Sequence, residues 1–170
     1  TWPIAGRTVQ VAKLCEATGW DGLLVTDTQC LAAEAIVQLS LCVAATQRIR
    51  LGTGVTNPIT RDAAVLASAF ATLQQESGGR MSLGIGRGDS AVRVTNGAPT
   101  TLATLRDSVH VIRELANGRS VEYKGSQLRF PWSSDSTLEV WVAAYGPKAL
   151  SLTGEVGDGK IFVTPVEDAY

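Results

Sequence analysis

The sequence has 170 residues, 45% of them hydrophobic, with 15 basic and 16 acidic side chains and a formal net charge of −1. Such a length and apolar content suit one globular domain with a sizeable core, and the balanced charge argues against nucleic acid or a membrane surface as partner, since either normally shows as a basic excess. No apolar run nears the roughly 20 residues that cross a bilayer, and Thr1 to Gly6 has neither the basic nor the apolar region of a secretory leader, so a cytoplasmic location is expected.

Arg7 to Thr18 reads as an amphipathic helix with Val11, Leu14, Cys15 and Thr18 on one side, closed by Gly19. Gly22 to Thr26 is a short apolar run that fits a buried parallel strand. A second helix is expected from about Leu31 to Ala45, and Ile49 to Gly54 is the next strand. Thr60 is placed as the N-cap of a third helix that carries Leu66, Phe70 and Leu73 and stops at Gly78-Gly79. Met81 to Ile85 is a strand, followed by a long loop from Gly86 to Thr100. Leu102, Leu105, Val109, Ile112 and Leu115 mark a fourth helix ended by Gly118. Val121 to Phe130 alternates around Lys124-Gly125 and reads as a small hairpin. Leu138 to Ala144 is a strand, Pro147 opens a fifth helix that ends near Gly157, and Lys160 to Val163 is the last strand. The chain starts on Thr1-Trp2-Pro3 rather than Met and stops soon after that strand, so both ends look cut from something longer.

Alternation of helices with nearly all-apolar strands predicts an α/β fold around a parallel sheet covered on both faces. Pattern alone leaves a doubly wound sheet and a (β/α) barrel open. Both put function at the carboxyl ends of the strands. Those ends read Asp27-Thr28-Gln29, then Val55-Thr56-Asn57-Pro58, then Gly86-Arg87-Gly88-Asp89-Ser90, then Tyr145-Gly146-Pro147-Lys148. All are polar, short-chained or glycine-rich after apolar strands, as a ligand rim requires. Gly146-Pro147-Lys148 puts backbone N–H groups and a lysine at a helix start, an anion-binding arrangement that an ordinary helix start shares. Gly84-x-Gly86-x-Gly88 is not the dinucleotide fingerprint, because Asp89 replaces the third glycine and no helix is expected there. Arg87-Gly88-Asp89 spells an adhesion tripeptide by coincidence.

The sole histidine, His110, lies between Val109 and Val111 in the fourth helix and reads as structural. That leaves no catalytic triad and no histidine-rich metal site. Cys15, Cys30 and Cys42 form no C-x-x-C pair and read as buried, reduced thiols. No phosphate-loop lysine motif and no glycosidase-type carboxylate pair appear. Glycines, amides and one or two acids suit a cofactor that carries the difficult chemistry itself.

Three stretches in register, LGTGVTNPITR, ATLQQESGGRMSLGIGRGDSA and VAAYGPKALSLTGEVGDG, resemble the luciferase-like monooxygenase superfamily, most of all the coenzyme F-420-dependent branch that includes methylenetetrahydromethanopterin reductase. The resemblance spans essentially the whole chain. It implies an incomplete (β/α)8 TIM barrel, about strands two to six with their helices and the hairpin as an insertion, and one barrel domain over residues 1–170 truncated at both ends. It implies an oxidoreductase using coenzyme F-420 (a deazaflavin) or FMN for hydride transfer or monooxygenation of a small organic substrate, and a homodimer when full length. It places a non-prolyl cis peptide at Gly54-Val55, a catalytic acid near the ring or substrate at Asp27, and contacts to the ring system or its side chain at Thr56 and Asn57. It puts Gly86, Arg87, Gly88, Asp89 and Ser90 along the cofactor cleft, and Tyr145, Gly146, Pro147 and Lys148 at its phosphate end. Asp158-Gly159 also matches but precedes its strand and reads as structural. Thr28 departs from the pattern, standing where many members have histidine, which puts histidine-assisted proton transfer in doubt. Two other functions compete: a catalytically silent fragment or flavin-binding module, suggested by the missing strands, and a sugar-phosphate barrel enzyme, suggested only by the anion site.

Overall fold

In the computed structural model, which describes residues 1–133 and 136–161, short strands alternate with helices. The strands are β1 (Gly22–Val25), β2 (Arg50–Thr53), β3 (Met81–Ile85), β4 (Val121–Tyr123), β5 (Ser126–Leu128), β6 (Glu139–Ala143) and β7 (Gly159–Ile161). The helices are α1 (Thr8–Ala17), α2 (Ala35–Ala45), α3 (Ala63–Glu76), α4 (Asp89–Arg93), α5 (Leu102–Ala116) and α6 (Pro147–Val156). Five strands form one parallel sheet in the order β1-β2-β3-β6-β7, and β4 pairs with β5 as a separate antiparallel hairpin. Each parallel strand is added beside the one before it, with no reversal of order. A doubly wound sheet has such a reversal point, so the topology selects the incomplete (β/α)8 barrel.

Side chains alternate across the sheet, as the two-residue period of a strand dictates. Leu23, Val25, Leu51, Met81, Leu83, Ile85, Val140 and Val142 are buried in the main core with Leu39, Leu66, Phe70, Val109 and Ile112 of the helices. The residues between them line a second, shallower space: Leu24, Arg50, Ser82, Gly84 and Trp141 face it. Arg50 pairs there with Glu139, which also accepts a hydrogen bond from Trp141 Nε1 at 3.1 Å. Coverage by apolar groups on both faces is therefore true of one face only. The concave face is small or polar, with Leu24 and Trp141 partly exposed.

Several boundaries move for identifiable reasons. The second helix starts at Ala35, not Leu31, because Leu31 N and Ala32 N donate to Thr28 O in a turn, and Glu34 then caps α2 through Val37 N at 2.6 Å. Asp62, not Thr60, caps α3 by accepting from Ala64 N at 2.9 Å. The loop expected from Gly86 to Thr100 contains α4, and a helix does start at Asp89. Gly88 at φ 87° reverses the chain there, and Ala91 and Val92 anchor the short helix by burial. The hairpin turns on Lys124 (φ 51°) and Gly125 (φ 77°), and Asp62 accepts from Tyr123 Oη at 2.9 Å and Lys124 Nζ at 2.6 Å, tying the hairpin to the start of α3. The last strand is β7, one residue earlier than expected at its start; Phe162 and Val163 lie outside the described residues. The expectation of three buried thiols holds for Cys42 alone; Cys15 is half-buried and Cys30 exposed, and all are free. His110 sits exposed on α5. Asp158 accepts from Val140 N at 2.7 Å and Arg113 Nη2 at 2.8 Å, a structural placement that joins the start of β6 to α5. Among the described residues no helix is long and apolar enough to cross a membrane, and no group of histidine, cysteine and acidic side chains could hold a metal ion.

Candidate functional site

Parallel strands all end on the same rim, so the segments after β1, β2, β3 and β6 converge. They enclose a cleft of about 320 Å³ whose wall includes Asp27, Gly54, Val55 and Asn57. Gly86, Arg87, Gly88, Asp89, Ser90 and Tyr145 line the same cleft. A second cavity of about 610 Å³ shares Arg87, Asp89 and Tyr145 with it and adds Leu102, Gly146, Pro147 and Lys148. Thirteen of the fourteen residues expected at the site thus fall on one continuous trough. Thr56 is the exception: it is fully buried, and its hydroxyl donates to Asp27.

The Gly54–Val55 peptide is cis. Immediately after it Thr56 bonds to the end of β3 and the residue that follows it: Thr56 N donates to Gly84 O at 2.8 Å and Gly86 N donates to Thr56 O at 2.9 Å. The rim segments after β2 and β3 are therefore locked together. Two points of this wall are tight. A Cβ on Gly86 would stand 3.0 Å from Val55 Cγ2, and one on Gly88, whose φ of 87° itself favours glycine, would stand 3.0 Å from Asn57 Cβ and Cγ.

Asp27 is only 3% exposed. Its carboxylate accepts from Thr56 Oγ1 at 2.6 Å, from Arg61 Nε at 3.1 Å and from Arg61 Nη2 at 3.2 Å. Arg61 also pairs with Glu34. Partial burial opposes the charge on Arg61, but its hydrogen bonds and ion pair with Asp27, helped by Glu34, outweigh that and hold the guanidinium above its ordinary range.

Asn57 is 1% exposed. Its Oδ1 accepts from Ile59 N at 3.1 Å, Thr60 N at 2.9 Å and Thr60 Oγ1 at 3.1 Å, which is why Thr60 serves this turn and not the helix cap. Two backbone donors on Oδ1 fix the amide's orientation. Its Nδ2 is buried with no acceptor among the described residues, and so is the hydroxyl of Thr26 on the same cleft. Buried polar groups are nearly always satisfied, so two on one wall without a partner among the described residues stand out.

Arg87 stands where the two cavities meet. Its Nε donates to Thr100 O at 2.7 Å, and Thr100 N donates to Arg87 O at 3.0 Å, so both backbone and side chain are pinned. At the far end Gly146 (φ 79°) precedes Pro147 at the first turn of α6, with Lys148 beside it. N–H groups at a helix start together with a lysine make this end electropositive.

The sequence did not point to Trp2, Thr26 or Arg61. Thr1 O accepts from Thr26 N at 3.0 Å, which lays the first residues along the edge of β1 and brings Trp2 to the cleft. An arginine at the end of the same motif that carries Asn57 was the available signal for Arg61, as a buried acid after a strand needs a cation.

The sequence profile described as Luciferase-like monooxygenase matches residues 3–170. A 5,10-methylenetetrahydromethanopterin reductase from Methanolobus tindarius is 36% identical over 154 residues, covering 87% of this chain and 47% of that protein. A coenzyme F-420-dependent glucose-6-phosphate dehydrogenase from Beutenbergia cavernae is 34% identical over 166 residues, covering 87% of this chain and 49% of that protein. The solved structure of the coenzyme F-420-dependent tetrahydromethanopterin reductase from Methanopyrus kandleri superposes with a TM-score of 0.74 at 23% identity, over 94% of this chain and 55% of that one, and shows the same fold. The chain spans about half the length of these relatives. With a rim that gathers the three matching stretches into one cleft, and a family profile that covers all but the first two residues, the chain belongs to the luciferase-like monooxygenase family.

Proposed function

We propose that the chain carries the cofactor cleft of an oxidoreductase that uses coenzyme F-420, or else FMN, to act on a small organic molecule by hydride transfer or monooxygenation. The observation that carries this reading is the buried Asn57 amide, whose Nδ2 has no acceptor among the described residues and which stands on the cleft wall beside Gly54 and Val55. A heterocycle with carbonyl groups on its edge, which both cofactors have, supplies the missing acceptor. When bound, such a group supplies the hydride or, with O2, the oxygenating power.

The chain's own residues then bind, orient and exclude water. Gly54 and Val55 form the surface under the ring, and Asn57 donates to its edge. Gly86, Gly88 and Ser90 permit close approach of the backbone, with Arg87 and Asp89 at the bend of the trough. Gly146, Pro147 and Lys148 receive the phosphate. Asp27, already accepting three hydrogen bonds, shapes the wall beside the substrate. Thr28 offers no imidazole, so no proton is routed through it. We place coenzyme F-420 ahead of FMN because the F-420-dependent relative above is 34% identical to this chain over 166 aligned residues. Fluorescence-quenching titrations of the purified protein are expected to show tighter binding of F-420 than of FMN. Tight FMN binding without F-420 binding reverses the order, and binding of neither removes the reading.

The same reading includes a homodimer, when full length, acting in the cytoplasm. α2 has no charged residue from Ala35 to Ala45 and leaves Val37 and Leu41 exposed, and Val65 of α3 is exposed as well. An uncharged apolar face of this kind is what an interface core presents. Sedimentation equilibrium is expected to give a dimer that Leu41→Lys dissociates; a monomer at micromolar concentration counts against it.

A further inference from the structure

Arg61 closes the LGTGVTNPITR stretch, yet it does not line the cleft. We infer that Arg61 is a positioning residue, which fixes the cleft wall through Asp27 and Thr56 and is itself held by Glu34. The inference rests on the cofactor-cleft reading above and adds to it the device that keeps the wall in place.

The argument follows the contacts. Arg61 gives Asp27 one N–H to each carboxylate oxygen, and Thr56 gives it a third donor. That planar, two-point contact fixes where the carboxylate sits and how it is turned. The carboxylate in turn fixes the hydroxyl of Thr56. Thr56 follows the Gly54–Val55 peptide directly and is hydrogen-bonded to Gly84 of β3 and to Gly86 just after it. A displaced Asp27 would therefore move Val55 and Gly86, both on the cleft wall. On its other side Arg61 pairs with Glu34, whose second oxygen caps α2 at Val37 N. One guanidinium thus joins the ends of β1 and β2 to the approaches of α2 and α3. A lysine would bring the charge but not the fork.

If Arg61 only neutralised a buried acid, Arg61→Lys would restore the protein and Asp27→Asn would make the cation dispensable without loss of binding. A positioning role differs on both counts. The test uses Arg61→Gln, Arg61→Lys, Asp27→Asn and the Arg61→Gln/Asp27→Asn double variant, with cofactor Kd and backbone amide exchange as readouts. Arg61→Gln and Asp27→Asn should each weaken cofactor binding about tenfold, and the double variant little more than either, because both act through one contact. Arg61→Lys should stay weakened by about threefold or more, near 0.7 kcal/mol. Exchange at the Thr56 and Gly86 amides should quicken in Arg61→Gln, while the remote hairpin β4–β5 keeps its protection. The inference is overturned if Arg61→Gln binds cofactor like the parent protein, if the single effects multiply, or if Thr56 and Gly86 stay protected. Where Arg61→Gln does not fold, Arg61→Lys gives the same readouts. If the parent protein binds neither F-420 nor FMN, the cofactor reading falls, and amide exchange alone decides for or against Arg61.

Discussion

Replacing Gly84 by alanine should cost about 3 kcal/mol of stability, the upper end of what overpacking a tightly filled site produces. Gly84 lies in the middle of β3, flanked by β2 and β6. A Cβ there would sit 1.9 Å from Thr53 O and 2.7 Å from Ile161 Cδ1. The isoleucine can turn aside, but the carbonyl belongs to the neighbouring strand. Nor can β3 retreat: Gly84 O accepts from Thr53 Oγ1 at 2.7 Å and from Thr56 N at 2.8 Å, and Gly84 is in register with Trp141 on the other side. Relief therefore requires separating β2 from β3 at the point where the cleft wall begins. Gly154 is the internal control. It lies exposed in α6 with open space where its Cβ would be, so Gly154→Ala should stabilise the protein by about 0.5–1 kcal/mol. Urea denaturation midpoints of the two variants should move in opposite directions. A Gly84→Ala protein within about 1 kcal/mol of the parent would mean that the strands can part more easily than their hydrogen bonds indicate.

Gly84 also shows where sequence reading succeeds and where it stops. The strand from Met81 to Ile85 is legible because five weakly polar residues between a glycine-ended helix and a polar rim leave few alternatives. Which face each residue takes is not legible from such a run, because a strand covered by apolar side chains on both faces and one covered on a single face look alike when positions on the second face are glycines. Gly52 and Gly84 therefore hid the concave face. α4 is not legible because a helix of five residues gives no periodicity to detect. The shift from Thr60 to Asp62 arose because both residues are good caps, and the choice depends on Asn57 taking the Thr60 amide first.

The site divides along the same line. That Asp27, Asn57, Gly86 and Lys148 share a rim follows from parallel topology, since every strand delivers its carboxyl end to the same side. Which atom of each residue meets the ligand depends on side-chain direction and on competing partners. Thr56 reads as a ligand contact, and its hydroxyl donates to Asp27 at 2.6 Å. Arg61 looked like part of a signature and proves to be the cation that acid requires. Trp2 reaches the cleft only because the first residues run along β1, a long-range contact with no local signal.

Asn57→Asp should abolish most cofactor binding while leaving the loop intact, a loss of about ten- to a hundredfold in affinity. The two side chains have the same shape, so Oδ1 can go on accepting from Ile59 N, Thr60 N and Thr60 Oγ1. What changes is the buried Nδ2 position, where a donor without a partner among the described residues becomes a carboxylate oxygen. Against a carbonyl edge, an attraction becomes a repulsion between two acceptors. Asn57→Leu is the coarser test, since it also strips the acceptor from two backbone donors and should lower stability by about 2 kcal/mol or more. Comparing the two separates ligand recognition from loop support. If the Asp variant binds F-420 and FMN as tightly as the parent while the Leu variant only loses stability, Asn57 is a turn residue and the unmet amide has no part in recognition. If the Asp variant folds with the parent's denaturation midpoint and loses binding, the function resides in the one atom of that side chain that the fold leaves unsatisfied.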